Sequence, residues 1–201
     1  TRADAEQARH AIAAAHDAFP AWSRFGLQGR ADILDKIGTE ILARQDELGT
    51  LLAREEGKTK PEGVGEANRA GNIFKFFAGE VLRLAGERLP SVRQGVDVEV
   101  TREPIGVVGL ITPWNWPMNQ IGAKVGPALA AGCTMVLKPS ELAPLNAILF
   151  AEILDEAGVP PGVFNLINGD GPGVGNAISS HPDVDMLSFT GSTRAGTSVM
   201  Q

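Results

Sequence analysis

The 201-residue sequence predicts an α/β protein in which amphipathic helices precede a doubly wound parallel sheet. The first observation is the charge distribution, since residues 1–100 contain 14 Lys/Arg and 16 Asp/Glu whereas residues 101–201 contain 4 and 8. The second is a change from apolar residues at helical spacing to short apolar, β-branched runs. The third is that these runs alternate with helical segments, which indicates parallel strands covered on both faces.

The first half is predicted to contain solvent-facing helices. One apolar stripe, which Pro20 is expected to end, consists of Ala5, Ala8, Ile12, Ala15 and Phe19. A second stripe spans 33–52, is expected to divide near 45–46, and ends at Gly57. A third spans about 61–84. Residues 96–101 then alternate strictly between apolar and polar, as an exposed strand does.

The second half alternates strands and helices with short connections. The predicted strands are 105–111, 135–137, 163–167 and 186–189, and the predicted helices are 118–131, 145–157, 174–180 and 192–201. In such a sheet, ligands bind beyond the carboxyl ends of the strands. The segments expected to bind a ligand are therefore 112–117, 138–141, 168–175 and 190–196.

The composition excludes several classes of protein. A net charge of −6 argues against a surface that binds nucleic acid or an acidic membrane. The sequence contains no run of 18 apolar residues, so no transmembrane helix is predicted. Cys133 is the single cysteine, which excludes an internal disulfide and makes a reducing cytoplasm the expected compartment. The three histidines have no metal-site spacing, so no metal is expected.

The segment after the first apolar strand, Thr112–Pro117, contains an asparagine between two prolines. The prolines restrict the backbone and pre-set the Asn115 side chain. Its amide is a neutral donor that suits an oxyanion or a carbonyl oxygen. The alternative is a rigid turn in which Trp114 and Trp116 are packing residues.

The other strand-end segments are also ambiguous when each is taken alone. Lys138 and Glu141 suit ribose hydroxyls or a phosphate, or form a surface ion pair that caps the next helix. The glycine-rich stretch 168–175 lacks the G-x-G-x-x-G spacing, yet it can admit a nucleotide close to its backbone. Ser192 suits a phosphate or an ordinary helix N-cap. Together on one sheet edge, the four segments favour a dinucleotide site.

Five motifs stand along the chain in this order: Glu56–Lys58, Thr112–Pro117, Gly126–Cys133, Leu137–Glu141 and Phe189–Thr193. In their order and spacing they resemble the NAD(P)-dependent aldehyde dehydrogenase superfamily. The resemblance implies a Rossmann-like NAD(P)-binding core at 105–201, a bridging or oligomerisation strand segment at 91–104, and a helical part of the cofactor-binding domain at 1–90. The catalytic domain is expected to lie outside this chain.

The resemblance also implies a role for individual residues. Asn115 corresponds to the oxyanion asparagine, and Lys124 to a lysine that supports proton relay. NAD or NADP, with NAD favoured by Glu141, is expected to bind at Ile111, Pro113, Trp114, Lys138, Ser140, Glu141, Gly171, Gly175, Thr190, Gly191 and Ser192.

The family's chemistry needs a cysteine thiolate that attacks the aldehyde and a glutamate that activates water. Cys133 does not occupy the nucleophile's motif, so the chain alone is expected to be inactive. The implied complete enzyme oxidises an aldehyde to an acid as a cytoplasmic homodimer or homotetramer, and the helix at 74–84 resembles semialdehyde dehydrogenases. The alternatives are an acyl-phosphate reductase of the same superfamily and a non-catalytic nucleotide-binding module.

Overall fold

The structure, a computed structural model, describes residues 2–200 and confirms the α/β class. The helices are α1 (Ala5–Trp22), α2 (Leu27–Ala43), α3 (Gln45–Glu56), α4 (Lys60–Val81), α5 (Pro117–Ala131), α6 (Leu145–Ala157), α7 (Asn176–Ser179) and α8 (Thr193–Met200). The strands are β1 (Glu87–Pro90), β2 (Asp97–Val100), β3 (Val107–Ile111), β4 (Thr134–Lys138), β5 (Phe164–Leu166) and β6 (Met186–Phe189).

The main sheet has four parallel strands in the order β5-β4-β3-β6. The chain moves outward from β3 to β5 and then returns to the other side of β3, so the winding reverses between β3 and β6. This reversal opens a crevice at the carboxyl ends of those two strands, where α/β proteins bind ligands.

Alternating side chains of the buried strands divide the apolar core in two. Val107 and Val136 face α1, where they pack with Ile12. Val108 and Leu110 face the opposite way and join a larger core shared by α2 through α6. Because β3 and β4 are buried on both faces, their sequences are almost continuously apolar.

Helices α2, α3 and α4 form an outer layer over α5 and α6. Helices α3 and α4 meet at two buried glycines, and a Cβ built on Gly63 would lie 3.1 Å from the carbonyl carbon of Gly49. Gly57 ends α3 with a φ of +80°, which glycine adopts without strain. Thr59 then starts α4 with a capping box that includes Glu62.

The prediction that Pro20 ends the first helix is wrong, because α1 continues through Pro20 to Trp22. Pro20 lies in the last turn, where its missing N–H removes a single helical hydrogen bond. The amide of Ser23 still donates to the carbonyl of Phe19 at 2.9 Å and closes the helix end.

The exposed strand predicted at 96–101 is β2, which pairs antiparallel with the unpredicted β1. The register places Leu89 opposite Val98 and Arg88 opposite Glu99, so Leu89, Val98 and Val100 share one face of this two-stranded ribbon with Glu87, and the other face is largely charged. All residues of the ribbon are exposed.

The predicted helix at 174–180 forms only in part. A π-helical turn at Gly171–Gly175 precedes the short α7, and Val174 belongs to the turn. No helix within residues 2–200 is long and apolar enough to cross a membrane.

Candidate functional site

The segments that follow β3, β4 and β6 start side by side at one edge of the sheet. The amide of Thr190, after β6, donates to the carbonyl of Ile111 at 3.1 Å. On the other side of β3, the amide of Thr112 donates to the carbonyl of Lys138 at 3.2 Å. The structure therefore brings together three of the four predicted strand-end segments by direct backbone contacts.

Lys138 and Glu141 form a pair with very different exposure. The Lys138 ammonium donates to the carbonyl of Pro139 at 2.8 Å and to Glu141 Oε2 at 3.3 Å. Its side chain is 4% exposed and that of Glu141 is 48% exposed. The carboxylate thus faces solvent, and the ammonium keeps a third donor for a ligand.

The alternative in which this pair caps the next helix is wrong. The first amides of α6 donate instead to Glu55, with distances of 2.5 Å from Leu145 and 3.2 Å from Asn146. Ser140 accepts from the amide of Leu142 at 3.2 Å, which closes the turn before α6.

The glycine-rich turn lies beside Lys138. A Cβ on Gly175 would lie 3.8 Å from Lys138 Cδ, whereas one on Gly171 would meet no atom within 4 Å. Asp170 holds the turn by accepting from the amide of Gly173 at 2.7 Å, and it pairs with Arg2 at 2.7 Å. The open space at Gly171 lets a flat group approach the backbone.

At the start of α8, Ser192 acts as an N-cap by accepting from the amide of Ala195 at 3.3 Å. Its hydroxyl hydrogen remains free to donate to a ligand. A Cβ on Gly191 would lie 2.5 Å from Cζ of the Phe189 ring, so a side chain at this position would require that ring to move.

Asn115 is exposed and lies directly before an unusual backbone turn. Trp116 has a φ of +58°, the only positive φ outside glycine among residues 2–200. The alternative in which the two tryptophans are packing residues finds no support within residues 2–200, because Trp114 is 54% exposed and Trp116 is 49% exposed. The Arg69 guanidinium lies 5.9 Å from the Trp116 ring centroid.

Sequence reasoning missed a buried charge cluster beneath this turn, formed by Glu56, Lys58 and Glu66. Lys58 forms ion pairs with Glu66 and, at 3.0 Å, with Glu56. Burial raises the pKa of Glu56. Burial alone would lower the pKa of Lys58, but the two carboxylates outweigh this effect and raise it. The available signal was a glutamate at position 66 on the buried face of α4.

Lys124 lies away from the strand-end edge, about 10 Å along α5 from Pro117 at the usual helical rise. Its ammonium donates to Ser188 Oγ at 2.8 Å, and burial lowers the pKa of Lys124. It lines an apolar groove of about 410 Å³ with Met186 and Cys133, among other residues. Cys133 is 4% exposed.

Within residues 2–200, no three His, Cys, Asp or Glu side chains are grouped so that they could hold a metal ion. The groups at the strand ends that could hold a cofactor are the Lys138 ammonium, the Glu141 carboxylate, the Ser192 hydroxyl and the glycines. Two buried polar atoms at this edge, Thr112 Oγ1 and Asn168 Oδ1, have no hydrogen-bond partner in the described structure. They fit a polar ligand seated across the ends of β3 and β5.

The model of the aldehyde dehydrogenase family matches residues 1–201. A 3-succinoylsemialdehyde-pyridine dehydrogenase of a Pseudomonas species is 50% identical over 198 residues, covering 94% of this chain and 39% of that protein. The NADP(+) succinate-semialdehyde dehydrogenase GabD of Escherichia coli K12 is 44% identical over 197 residues, covering 98% of this chain and 41% of that protein.

Solved structures agree with the sequence comparisons. An E. coli NADP-dependent enzyme superposes with a TM-score of 0.97 at 43% identity, covering 99% of this chain and 41% of that one. Betaine aldehyde dehydrogenase from Staphylococcus aureus, in complex with NAD+, superposes with a TM-score of 0.96 at 38% identity, covering 100% and 40%. The chain thus spans about two fifths of the length of these relatives.

Proposed function

Because the chain belongs to the aldehyde dehydrogenase family, we propose that it supplies the cofactor site and the oxyanion donor of an enzyme that oxidises an aldehyde to a carboxylic acid. The observation that supports the proposal is that the segments containing Asn115, Lys138 and Ser192 start side by side at one edge of the sheet. When NAD or NADP is bound, its nicotinamide accepts the hydride. NAD is favoured, because the exposed Glu141 carboxylate would repel a 2′-phosphate.

The adenosine end of the cofactor is assigned to the segment after β4. Glu141 would accept hydrogen bonds from ribose hydroxyls, while Lys138 donates its third N–H. Ser140 supports this turn through its bond to the Leu142 amide. The open backbone at Gly171 and the proximity of Gly175 to the Lys138 stem leave room for an adenine.

The pyrophosphate is assigned to the start of α8. Thr190, Gly191 and Ser192 precede the first turn of this helix, where free backbone amides and the helix dipole favour an anion. Gly191 keeps the backbone accessible because glycine has no side chain to cover it. Ile111, Pro113 and Trp114 are assigned to the channel that leads from this point toward the reacting carbon.

Asn115 is proposed to hold the carbonyl oxygen of the substrate as it gains negative charge. Its amide is exposed, so a substrate can reach it, and the backbone on either side is restricted by Pro113 and Pro117. Lys124 is proposed to support proton relay from the groove below, where burial lowers its pKa.

The nucleophilic thiol is not Cys133 in this proposal. Cys133 is buried and precedes the first residue of β4, whereas the assigned site lies after the last residue of that strand. We therefore assign the thiol and the water-activating glutamate to protein outside residues 1–201. Residues 1–201 alone are proposed to bind cofactor without oxidising aldehyde. The two relatives named as semialdehyde dehydrogenases favour a semialdehyde as substrate.

The β1–β2 ribbon is the proposed contact between subunits of a cytoplasmic homodimer or homotetramer. A ribbon of two short strands is marginal alone in water, and on one face of this ribbon the exposed Leu89, Val98 and Val100 lie together. Packing that face on a second copy would bury it. The charged face keeps the Arg88–Asp97 ion pair at 2.7 Å in solvent.

The proposed function is tested by Asn115→Ala in the full-length gene product. Loss of an oxyanion donor should lower kcat by about 10²–10³-fold while cofactor affinity, measured by calorimetry, stays normal. Asn72→Ala, at an exposed position of α4, is the matched control and should keep normal kcat. A normal kcat in Asn115→Ala would refute the assigned role. Cofactor binding by wild type without turnover of any aldehyde would favour the nucleotide-binding module instead.

A further inference from the structure

Helix α5 begins at Pro117, the last residue of one strand-end segment, and α6 begins at Leu145, shortly after the segment that contains Lys138 and Glu141. In the described chain, neither has a side-chain cap from its own N-cap residue. Their first amides therefore need acceptors from elsewhere, since helix starts leave several N–H groups unpaired. Two carboxylates near the α3–α4 junction supply them, Glu66 for α5 and Glu55 for α6.

Burial, hydrogen bonds and an ion pair all hold the Glu66 carboxylate in this contact. It is 2% exposed, and its Oε1 accepts from the amides of Met118 at 2.9 Å and Asn119 at 3.1 Å. Its Oε2 accepts from the ammonium of Lys58, which Glu56 also holds at 3.0 Å. A buried carboxylate is tolerated only when its charge is paired and hydrogen-bonded, and here both oxygens are occupied.

The contact lies next to the strained turn that carries Asn115. Trp116, with a φ of +58°, occupies the N-cap position of α5, two residues before the amide of Met118. Backbone in this region persists only where neighbouring contacts hold it. If the start of α5 loosens, Trp116 can relax and Asn115 moves with it.

We propose that Glu66, held by Lys58, is a positioning residue that fixes the start of α5 and thereby the Asn115 amide. The inference rests on the proposed oxyanion role of Asn115. Glu66 touches no substrate or cofactor in this scheme and acts only through the backbone. Glu55 does the same for the Lys138–Glu141 segment before α6, where it also accepts from Asn146 Nδ2 at 2.7 Å.

The test compares Glu66→Gln with Glu55→Gln in the full-length protein. Both substitutions remove one charge from a carboxylate that caps a helix of the same layer. Glu66→Gln should lower kcat about 10–100-fold with little change in the cofactor KM, because small misplacements of catalytic groups have effects of that size. Glu55→Gln should mainly raise the cofactor KM. A merely structural role would move kcat and KM alike in both variants.

A second readout is hydrogen exchange in the full-length protein. In Glu66→Gln, hydrogen exchange at the amides of Met118 and Asn119 should accelerate, while exchange at Leu145 stays unchanged. Glu66→Asp, which keeps the charge but shortens the reach, serves where Glu66→Gln does not fold. Unchanged exchange at Met118, or normal kcat in Glu66→Gln beside a damaged Asn115→Ala, would overturn the inference. Normal kcat in Asn115→Ala with faster exchange at Met118 would instead refute the proposed function.

Discussion

Replacing Gly63 by alanine tests how closely α3 and α4 must approach beneath the candidate site. A Cβ on Gly63 would overlap the carbonyl oxygen of Gly49, and that residue's Cα would lie 3.2 Å away. Gly65, two positions further along α4, is exposed, and a Cβ there meets no atom within 4 Å. The same substitution should therefore have opposite effects at the two positions.

The magnitudes follow from helix propensity and overpacking. Alanine in place of glycine inside a helix stabilises by about 0.5–1 kcal/mol, which Gly65→Ala should show in full. Gly63→Ala gains the same amount but forces two backbones apart, and overpacking costs about 1–3 kcal/mol. A backbone carbonyl cannot rotate away as a side chain can, so we expect a net loss of about 1–2 kcal/mol.

Thermal melts followed by circular dichroism measure both effects. For chains of this size, 1 kcal/mol shifts Tm by about 2–4 °C, so Gly63→Ala should melt about 2–8 °C lower than wild type. Gly65→Ala should melt about 1–4 °C higher. A Tm for Gly63→Ala equal to or above that of Gly65→Ala would refute the reasoning, because it would show that the helices separate without cost.

Two further predictions concern charged groups of the site. Glu141→Gln should weaken NAD more than NADP in calorimetric titrations, since the carboxylate repels a 2′-phosphate, and equal weakening would contradict the ribose assignment. Burial lowers the pKa of Lys124, so between that value and the ordinary 10.5 the unfolded chain binds more protons and stability rises with pH. In urea melts at a series of pH values, the free energy of unfolding of Lys124→Met should rise less with pH than that of wild type. An equal rise in the two proteins would contradict the prediction that the Lys124 pKa is lowered on folding.

Local signals predicted most of the regular elements. Helix α6 has the predicted ends because Gly158 stops it, and β3 and β4 were visible as apolar β-branched runs. The strand β1 was missed because its sequence, which ends in Pro90, has no alternation of its own. It is a strand only because β2 pairs with it.

The candidate site, too, could be predicted from the sequence only in part. The sequence alone predicts that the segments beginning at Thr112, Lys138 and Thr190 lie close together, because the carboxyl ends of parallel strands share one edge of the sheet. The acceptors for the first amides of α5 and α6 could not be predicted from the sequence, because Glu66 and Glu55 belong to other helices. Only the three-dimensional packing of α3 and α4 on α5 and α6 places those carboxylates.

The distant origin of these two caps also has a kinetic consequence. Glu66 is 52 residues from Met118 and Glu55 is 90 residues from Leu145 along the chain. Contacts with such separations form late, because a large loop must close before they stabilise anything. During synthesis, Glu55 and Glu66 emerge before the helices that they cap, so these two contacts can form only once α5 and α6 have docked on α3 and α4. We therefore expect the geometry of the site to form after the individual helices and not together with them.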